Sequence, residues 1–167
     1  MSANGCVTAT EQTVSVHPLP EVGLTDDAGN TAAVCDGQPL TFTASGGVSY
    51  RFYVNDVLKA SGTDSIYTSS TFADGDVLRV EALNANGCLS ETVKAVTVYD
   101  KPQVSLADIP SVCEGTAAFD LSGGAPAGGD YSGAGVSSGN FDPTVAGTGN
   151  HIITYTYTNA NGCTNTA

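Results

Sequence analysis

The sequence predicts an all-β protein built from antiparallel β-sandwiches, and three observations support this fold class. Apolar residues recur at every second position in several short runs, as they do in strands with one buried face. The 167 residues include 20 glycines and no tryptophan, and they are rich in Thr, Ser, Val and Asn, which favours short strands joined by tight turns. No window of about twelve residues shows the apolar stripe of an amphipathic helix.

The strands can be placed from this alternation and from the turns between them. Apolar and polar residues alternate in "LTFTA" at 40–44 and in "YRFYV" at 50–54. In "TFADGDVLRVEA" and "TGNHIITYTYT" a strand follows the turns Asp74-Gly75 and Gly149-Asn150. Turn signals roughly every eight to twelve residues are typical of immunoglobulin-like sandwiches.

An internal repeat organises the chain. "NANGC" stands at 84–88 and at 159–163, and its last three letters occur near the start as Asn4-Gly5-Cys6. An offset of 82 residues carries Cys6 onto Cys88 together with the segments that follow, and "VCDG" recurs as "VCEG" 78 residues later. The sequence therefore predicts tandem immunoglobulin-like β-sandwiches with proline-containing joints. The predicted divisions are the closing strand of a preceding repeat at 1–19, a first domain at 20–100, and a second domain at 101–167 that lacks its last strand.

The cysteines follow the repeat. Each complete repeat has one cysteine before its first core strand and one after its late strand. The simplest connectivity pairs Cys35 with Cys88 and Cys113 with Cys163, and it leaves Cys6 unpaired or available to another molecule. Such disulfides predict an oxidising, extracellular location, with reduced buried thiols as the alternative. Metal ligation is disfavoured because the chain has no CxxC or paired-histidine spacing. The Asn-Gly before each repeated cysteine predicts a tight hairpin turn with positive backbone angles.

Charge and hydropathy exclude two classes of function. Five Lys and Arg stand against 17 Asp and Glu, a formal net charge of −12 that repels nucleic acid and anionic membranes. No stretch reaches the roughly 20 apolar residues of a membrane-spanning helix, so we expect no membrane insertion. The first residues also lack the pattern of a secretory signal. We therefore interpret Met1 as a start codon added to an excised fragment.

The repeats resemble the tandem immunoglobulin-like and PKD-like repeats of large Bacteroidota surface and secreted proteins, including gliding-motility adhesins and type IX secretion cargo. The resemblance is carried by "VCDGQPLTFTASGGVSYRFYVNDV" in the first repeat, by "FDLSGGAPAGGDYSGAGVSSGNFDPTVAGTGNHIITYTYT" in the second, and by the shared "NANGC". It implies a stalk, spacer or adhesive array outside the cell and no catalytic residue. It also implies that Ser65, in "DSI", matches a short O-glycosylation motif.

The apparent loss of one strand predicts a way for copies to assemble. Residues 8–17 read as a closing strand without a domain of its own, with Val14 and Val16 as its apolar positions. The second domain would expose a sheet edge and an apolar groove. We therefore hypothesise that this strand completes the second domain of another copy, giving head-to-tail fibres. The alternative is a frayed segment that packs loosely on its own chain.

Acidic loops are the candidate metal sites. Calcium prefers several oxygen ligands on a flexible loop, and two loops offer paired carboxylates. Neither loop has the spacing of a known calcium motif, so solvated turn carboxylates are the alternative interpretation. The candidate calcium ligands are Asp26, Asp27, Asp74 and Asp76.

Other residues give no basis for catalysis. His17 and His151 are far apart in sequence, which disfavours a triad or a zinc site. The tyrosines occupy mostly strand positions, where cross-strand packing is their usual role. We therefore predict a non-catalytic structural or adhesive repeat whose partners are other repeats or copies of itself. The alternative is a carbohydrate- or protein-binding module, which needs several tyrosines on one exposed face.

Overall fold

The computed structural model describes residues 10–167, and their regular structure is almost entirely β. This confirms the predicted all-β fold class. The strands of the first repeat are β1 Gly23–Asp26, β2 Ala33–Cys35, β3 Leu40–Ser45, β4 Ser49–Val54, β5 Val57–Gly62, β6 Ile66–Ser69, β7 Val77–Leu83, β8 Leu89–Ala95 and β9 Thr97–Tyr99. The second repeat holds β10 Ser105–Leu106, β11 Phe119–Asp120, β12 Gly124–Ala125, β13 Asp130–Gly133, β14 Val136–Ser137, β15 Asn140–Phe141, α1 Pro143–Ala146, β16 Ile153–Thr158 and β17 Thr164–Thr166.

The chain divides into two compact units whose boundaries fall inside strands. The repeat divisions at 19 and 100 stay predictions. The first unit holds residues up to Thr25, Phe42–Tyr67 and Leu78–Lys94, and the second holds Asp26–Thr41, Thr68–Val77 and Ala95–Ala167.

A four-stranded antiparallel sheet in the order β5-β4-β7-β8 dominates the first unit. Its central register pairs Phe52 with Val80. The β4–β5 hairpin turns at Asn55 and Asp56, whose φ angles of 49° and 63° lie in the left-handed region that hairpin turns of this kind require. Sequence analysis did not single out this turn, although Asn and Asp are the residues that tolerate such angles best after glycine.

Alternating side chains build the core of an immunoglobulin-like sandwich. β3, β4 and β7 each bury every second side chain, which confirms the strands predicted from that alternation. β3 belongs to a second sheet, in the order β1-β3-β6. The rings of Phe52 in β4 and Tyr67 in β6 stack across the two sheets with centroids 5.6 Å apart, so the sheets pack face to face. The buried residues of these three strands are Leu40, Phe42, Ala44, Tyr50, Phe52, Val54, Leu78, Val80 and Ala82.

The second unit contains shorter sheets. β2 and β9 pair in parallel, and the second repeat forms the sheets β10-β12, β11-β15-β14 and β13-β16-β17. Tyr155 of β16 is its most buried large side chain, at 1% exposure. The tyrosine hydroxyl accepts a hydrogen bond from Gly129 N at 2.7 Å and donates one to Pro126 O. α1 begins at Asp142, whose carboxylate accepts from two backbone amides of its first turn.

The second repeat ends with the short strand β17. That this repeat lacks its last strand stays a prediction. β17 pairs with β16 over three residues, from Thr158↔Thr164 to Thr156↔Thr166. Ala167 then exchanges two backbone hydrogen bonds with Tyr155, at 2.9 and 3.0 Å.

Candidate functional site

The two "NANGC" motifs fold into the same turn. The asparagine that begins each motif, Asn84 or Asn159, accepts hydrogen bonds from the backbone amides two and four residues later, all at 3.0 Å. The glycines Gly87 and Gly162 have φ angles of 79° and 80°, which side chains disfavour. The turn therefore places only its glycine, and not the preceding asparagine, at a positive φ, which corrects the predicted Asn-Gly hairpin geometry.

Each turn is tied to the joint that precedes its own repeat. The Nδ2 of Asn84 donates to Pro18 O at 3.0 Å, and the Nδ2 of Asn159 donates to Asp100 O at 3.1 Å. Pro18 and Asp100 are equivalent under the 82-residue offset. The two joints are therefore held in the same way.

The sulfur atoms of the two motifs also have equivalent neighbours. Cys88 Sγ lies 3.9 Å from His17 O, and Cys163 Sγ lies 3.7 Å from Tyr99 O. His17 and Tyr99 are again related by the offset of 82. The repeat thus preserves the surroundings of the cysteine as well as the turn.

One disulfide joins the two repeats, between Cys35 and Cys163, whose Cα atoms lie 5.6 Å apart. The predicted pairs Cys35–Cys88 and Cys113–Cys163 are therefore wrong. The physical reason is the parallel pairing of β2 with β9, which aligns Cys35 with Tyr99 at the end of its own repeat. The "NANGC" turn of the following repeat contacts the same residue, so the bond forms between successive repeats.

Two thiols remain free in the described part of the chain. Cys88 is half-buried and Cys113 is exposed. Cys113 is the second-repeat counterpart of Cys35, and Cys88 is the first-repeat counterpart of Cys163. Cys6 lies outside the described residues.

A groove of about 690 Å³ runs along the second repeat, beside the end of β17. Its apolar lining includes Leu106, Ile109, Phe141 and Ile153. Its two edges are the segment before Cys113 and the segment before β16. Pro110, Ser111 and Val112 lie on the first edge, and Gly149, Asn150 and His151 lie on the second.

The first repeat fills the equivalent space with Val96 and β9. Val96 is 1% exposed, its amide donates to Asp76 O at 2.7 Å, and its carbonyl accepts from Gly75 N at 3.0 Å. Thr97 N then donates to Ala32 O at 2.8 Å, and β9 continues alongside β2.

The counterparts of these contact residues line the groove of the second repeat. The offset of 75 carries Gly75 and Asp76 onto Asn150 and His151, and the offset of 78 carries 32–35 onto 110–113. Ala32 is buried and β2 is half-buried, whereas residues 110–113 are exposed and form no strand. The groove is therefore the cleft that a β9-like segment occupies in the first repeat.

Residues 14–16 have the apolar pattern of the segment that fills this cleft in the first repeat. Val14 and Val16 match Val96 and Val98 of the closing strand. They form no strand in the structure, and they are 84% and 90% exposed. Two apolar side chains with an alternating pattern are thus left uncovered.

The four candidate calcium ligands accept hydrogen bonds from backbone amides, and calcium binding by them stays a prediction. Asp26 accepts from Ala28 N and Ala32 N, and Asp27 accepts from Thr41 N. The other two, Asp74 and Asp76, accept from Val98 N and Ala73 N. Within residues 10–167 no group of three or more His, Cys, Asp or Glu side chains could hold a metal ion.

The two histidines and Ser65 have separate surroundings. His151 lines the groove, and its Nε2 lies 2.9 Å from Gly147 O. His17 is exposed and contributes only its carbonyl to the contact with Cys88. Ser65 is half-buried, and its carbonyl accepts from Ala44 N. Glycosylation of Ser65 stays a prediction.

A charged cluster that sequence analysis missed lies on the four-stranded sheet. Arg79 contacts three carboxylates, with its shortest ion pair of 2.6 Å to Glu81, and its guanidinium lies 4.0 Å from the ring centre of Tyr53. The hydrogen bond that Arg79 donates to Glu81 is the largest contribution that raises the pKa of Arg79. The sequence did contain a signal for this cluster. Arg51 and Tyr53 in β4, and Arg79 and Glu81 in β7, alternate with buried residues and therefore lie on the same outer face of the sheet. The cluster holds strands together.

The comparisons with known proteins give no basis for assigning a function to the chain. No family model and no curated protein matches the chain. Among solved structures, the chain is similar to the fibronectin(III)-like modules of Clostridium thermocellum CbhA, at 19% sequence identity and a TM-score of 0.44, over 87% of this chain and 90% of that chain. A likeness at this level carries no argument about function. In the described part, no helix combines the length and apolar character needed to cross a membrane.

Proposed function

We propose that the chain is a non-catalytic structural repeat of an extracellular protein and that its copies join head to tail by strand donation. The observation that carries this proposal is the groove at Leu106–Ile153, which corresponds to a cleft that the first repeat fills with Val96 and β9. The occupant we assign is the segment 11–17 of a second copy. We also propose that the larger protein containing these repeats is adhesive at a cell surface.

The extracellular setting is supported by the Cys35–Cys163 bond. Structural disulfides persist in oxidising compartments and are rare where thiols are kept reduced. The bond also joins successive repeats, which suits a protein that carries load along its length. Holding successive repeats together is a mechanical role, and it requires no catalytic group.

The register of the donated strand follows from the repeat. Val14 takes the place of Val96, which is buried beneath the sheet edge in the first repeat. Ser15 takes the place of Thr97, whose side chain is exposed, and Val16 takes the place of Val98. Backbone hydrogen bonds supply affinity in such strand addition, and the alternate side chains supply specificity.

No observation favours the carbohydrate-binding alternative. Sugar binding by aromatic stacking needs exposed rings on one face, but all seven tyrosines are buried or half-buried. The aromatic side chains of the groove lining are Phe141 and His151, and no tyrosine lines it. The groove therefore fits a strand better than a sugar ring.

The test measures the mass of the full chain in solution as its concentration rises, using light scattering with reductant present. We expect oligomers that grow with concentration. Val14→Asp with Val16→Asp should return the chain to a monomer, because charged side chains would have to enter an apolar cleft. Val112→Arg on the acceptor edge should do the same.

Matched controls separate donation from general loss of solubility or fold. Ser15→Asp changes the outward-facing position of the same segment, and Val145→Arg changes an apolar residue that is 73% exposed and lies outside the groove lining. Both controls should assemble like the parent chain. A parent chain that stays monomeric at every concentration would overturn the proposal.

A further inference from the structure

We infer that head-to-tail contact is locked by a disulfide between Cys113 of one copy and Cys88 of the next. This inference rests on the proposed strand donation and adds its register and covalent chemistry. It makes each copy both the donor of a strand and the donor of a thiol. The two free cysteines of the described chain then have one shared purpose.

The Cys35–Cys163 bond within the chain is the template. It forms where β9 places Tyr99 opposite Cys35, and the Tyr99 carbonyl lies 3.7 Å from Cys163 Sγ. The Tyr99 carbonyl also accepts a hydrogen bond from Asp36 N at 3.0 Å, so it contacts the chain at both cysteines of the bond. The Cα atoms of the pair are 5.6 Å apart, within the range that a disulfide requires.

Each half of a second such junction is already present. On the donor side, Cys88 Sγ lies 3.9 Å from His17 O, as Cys163 lies near Tyr99. On the acceptor side, Cys113 ends the exposed segment that corresponds to β2. If residues 14–17 of the next copy pair with 111–113 as β9 pairs with β2, His17 lies opposite Cys113. Cys88 of that copy is then brought against Cys113.

The bond forms by thiol–disulfide exchange with a small disulfide such as oxidised glutathione. The thiolate of Cys113 attacks the glutathione disulfide and releases one glutathione thiolate, which leaves a mixed disulfide. The thiolate of Cys88 from the next copy attacks the protein sulfur of that mixed disulfide and releases the second glutathione. Two protein thiols are oxidised by two electrons, and one glutathione disulfide is reduced to two thiols.

Accessibility fits this sequence of steps. Cys113 is exposed and can meet the oxidant, whereas Cys88 is half-buried beside the His17 carbonyl. Docking of the donated strand raises the local concentration of one thiol at the other, and intramolecular-like encounters of this kind reach about millimolar effective concentration. The correct pair is therefore selected over random collisions.

The experiment uses the full chain carrying Cys6→Ser, so that Cys88 and Cys113 are the remaining free thiols. Cys88→Ser and Cys113→Ser versions are prepared separately, then mixed and exposed to oxidised glutathione. Non-reducing electrophoresis and peptide mass spectrometry should show Cys113–Cys88 heterodimers in at least about tenfold excess over either homodimer. When the chain that retains Cys88 also carries Val14→Asp and Val16→Asp, the heterodimer should no longer exceed the homodimers.

Other outcomes have definite meanings. Equal amounts of heterodimer and homodimers would overturn the inference, because they indicate random collision. A bond between Cys88 and Cys113 within one chain carrying both thiols would also overturn it. Oligomers seen by light scattering without any Cys113–Cys88 bond would overturn the covalent lock and leave strand donation intact, whereas a monomer would remove both.

Discussion

At the scale of single residues, the carboxylate of Glu81 stays charged although the residue is half-buried on the sheet. Burial alone raises the pKa of this carboxyl, but hydrogen bonds from Arg79, Tyr53 and Arg51 outweigh burial, and the pKa is lowered from 4.5. A lowered folded-state pKa contributes stability that is present above the unfolded value and is lost as pH falls through the folded value. The ion pair thus supports the sheet at neutral pH and weakens in acid.

Glu81→Gln should therefore destabilise the chain at about pH 7 and cost progressively less toward about pH 3. Denaturant midpoints measured across this range give the comparison. Asp36→Asn serves as the control, since Asp36 is exposed and its replacement at about pH 7 should change the free energy of unfolding by no more than about 0.5 kcal/mol. A Glu81→Gln deficit that stays constant down to about pH 3 would contradict the assigned role of the carboxylate.

Gly124 is required because the ring of Tyr155 lies against it. A Cβ at Gly124 would stand 2.6 Å from two atoms of that ring, and Tyr155 is 1% exposed and fixed by its hydroxyl. We expect Gly124→Ala to lower the free energy of unfolding by about 1 to 3 kcal/mol, the usual cost of overpacking. Thermal unfolding followed by circular dichroism measures it. Gly115→Ala, which meets no atom within 4 Å, should be nearly neutral.

At the scale of elements, the sequence predicts where the strands lie better than it predicts which strands pair with each other. Alternation located β3, β4 and β7 because one buried face leaves a period of two in a single stretch of chain. The parallel β2–β9 pair joins segments about sixty residues apart, and no local pattern encodes that pairing. The cysteine connectivity depends on this pair, so spacing alone led to the wrong disulfides.

Removing the Cys35–Cys163 bond should be costly. It closes a sequence separation of 128 residues, and loss of a native disulfide typically costs about 2 to 5 kcal/mol. Replacing both cysteines with alanine should lower the denaturant midpoint accordingly under oxidising conditions. Under reducing conditions, the parent chain should approach the double variant. Cys113→Ser is the control and should stay within about 0.5 kcal/mol of the parent.

An unchanged midpoint in the Cys35→Ala and Cys163→Ala double variant would mean that the contacts around the joint already fix this arrangement. The hydrogen bond from Asn159 Nδ2 to Asp100 O would then be the contact that holds the turn against the joint. Adding Asn159→Ala to the double variant tests this explanation, because it removes the hydrogen bonds of the turn and the contact with Asp100 together. The denaturant midpoint should then fall.

At the scale of the whole molecule, the repeat predicts more than any single motif. Self-comparison of the sequence showed which segments are duplicated, and it led to the hypothesis of a donated strand at Val14 and Val16. It could not show which cleft accepts the strand, because the cleft depends on Pro110–Val112 and Gly149–His151 coming together in three dimensions. The partner that we infer for Cys113 follows from the geometry of the Cys35–Cys163 junction.

Assembly of such acidic copies should respond to salt in a characteristic direction. Each copy carries a formal charge of −12, so copies repel one another at low ionic strength, whereas the strand contact itself is apolar. Raising salt from about 0.01 M to about 0.15 M shortens the screening length from about 30 to 8 Å and should strengthen association several-fold. Sedimentation velocity of the reduced chain measures this, with the Val14→Asp and Val16→Asp variant as the non-assembling control. Association that weakens with salt would instead mean that ion pairs hold the copies together, and the assigned register of the donated strand would then be wrong.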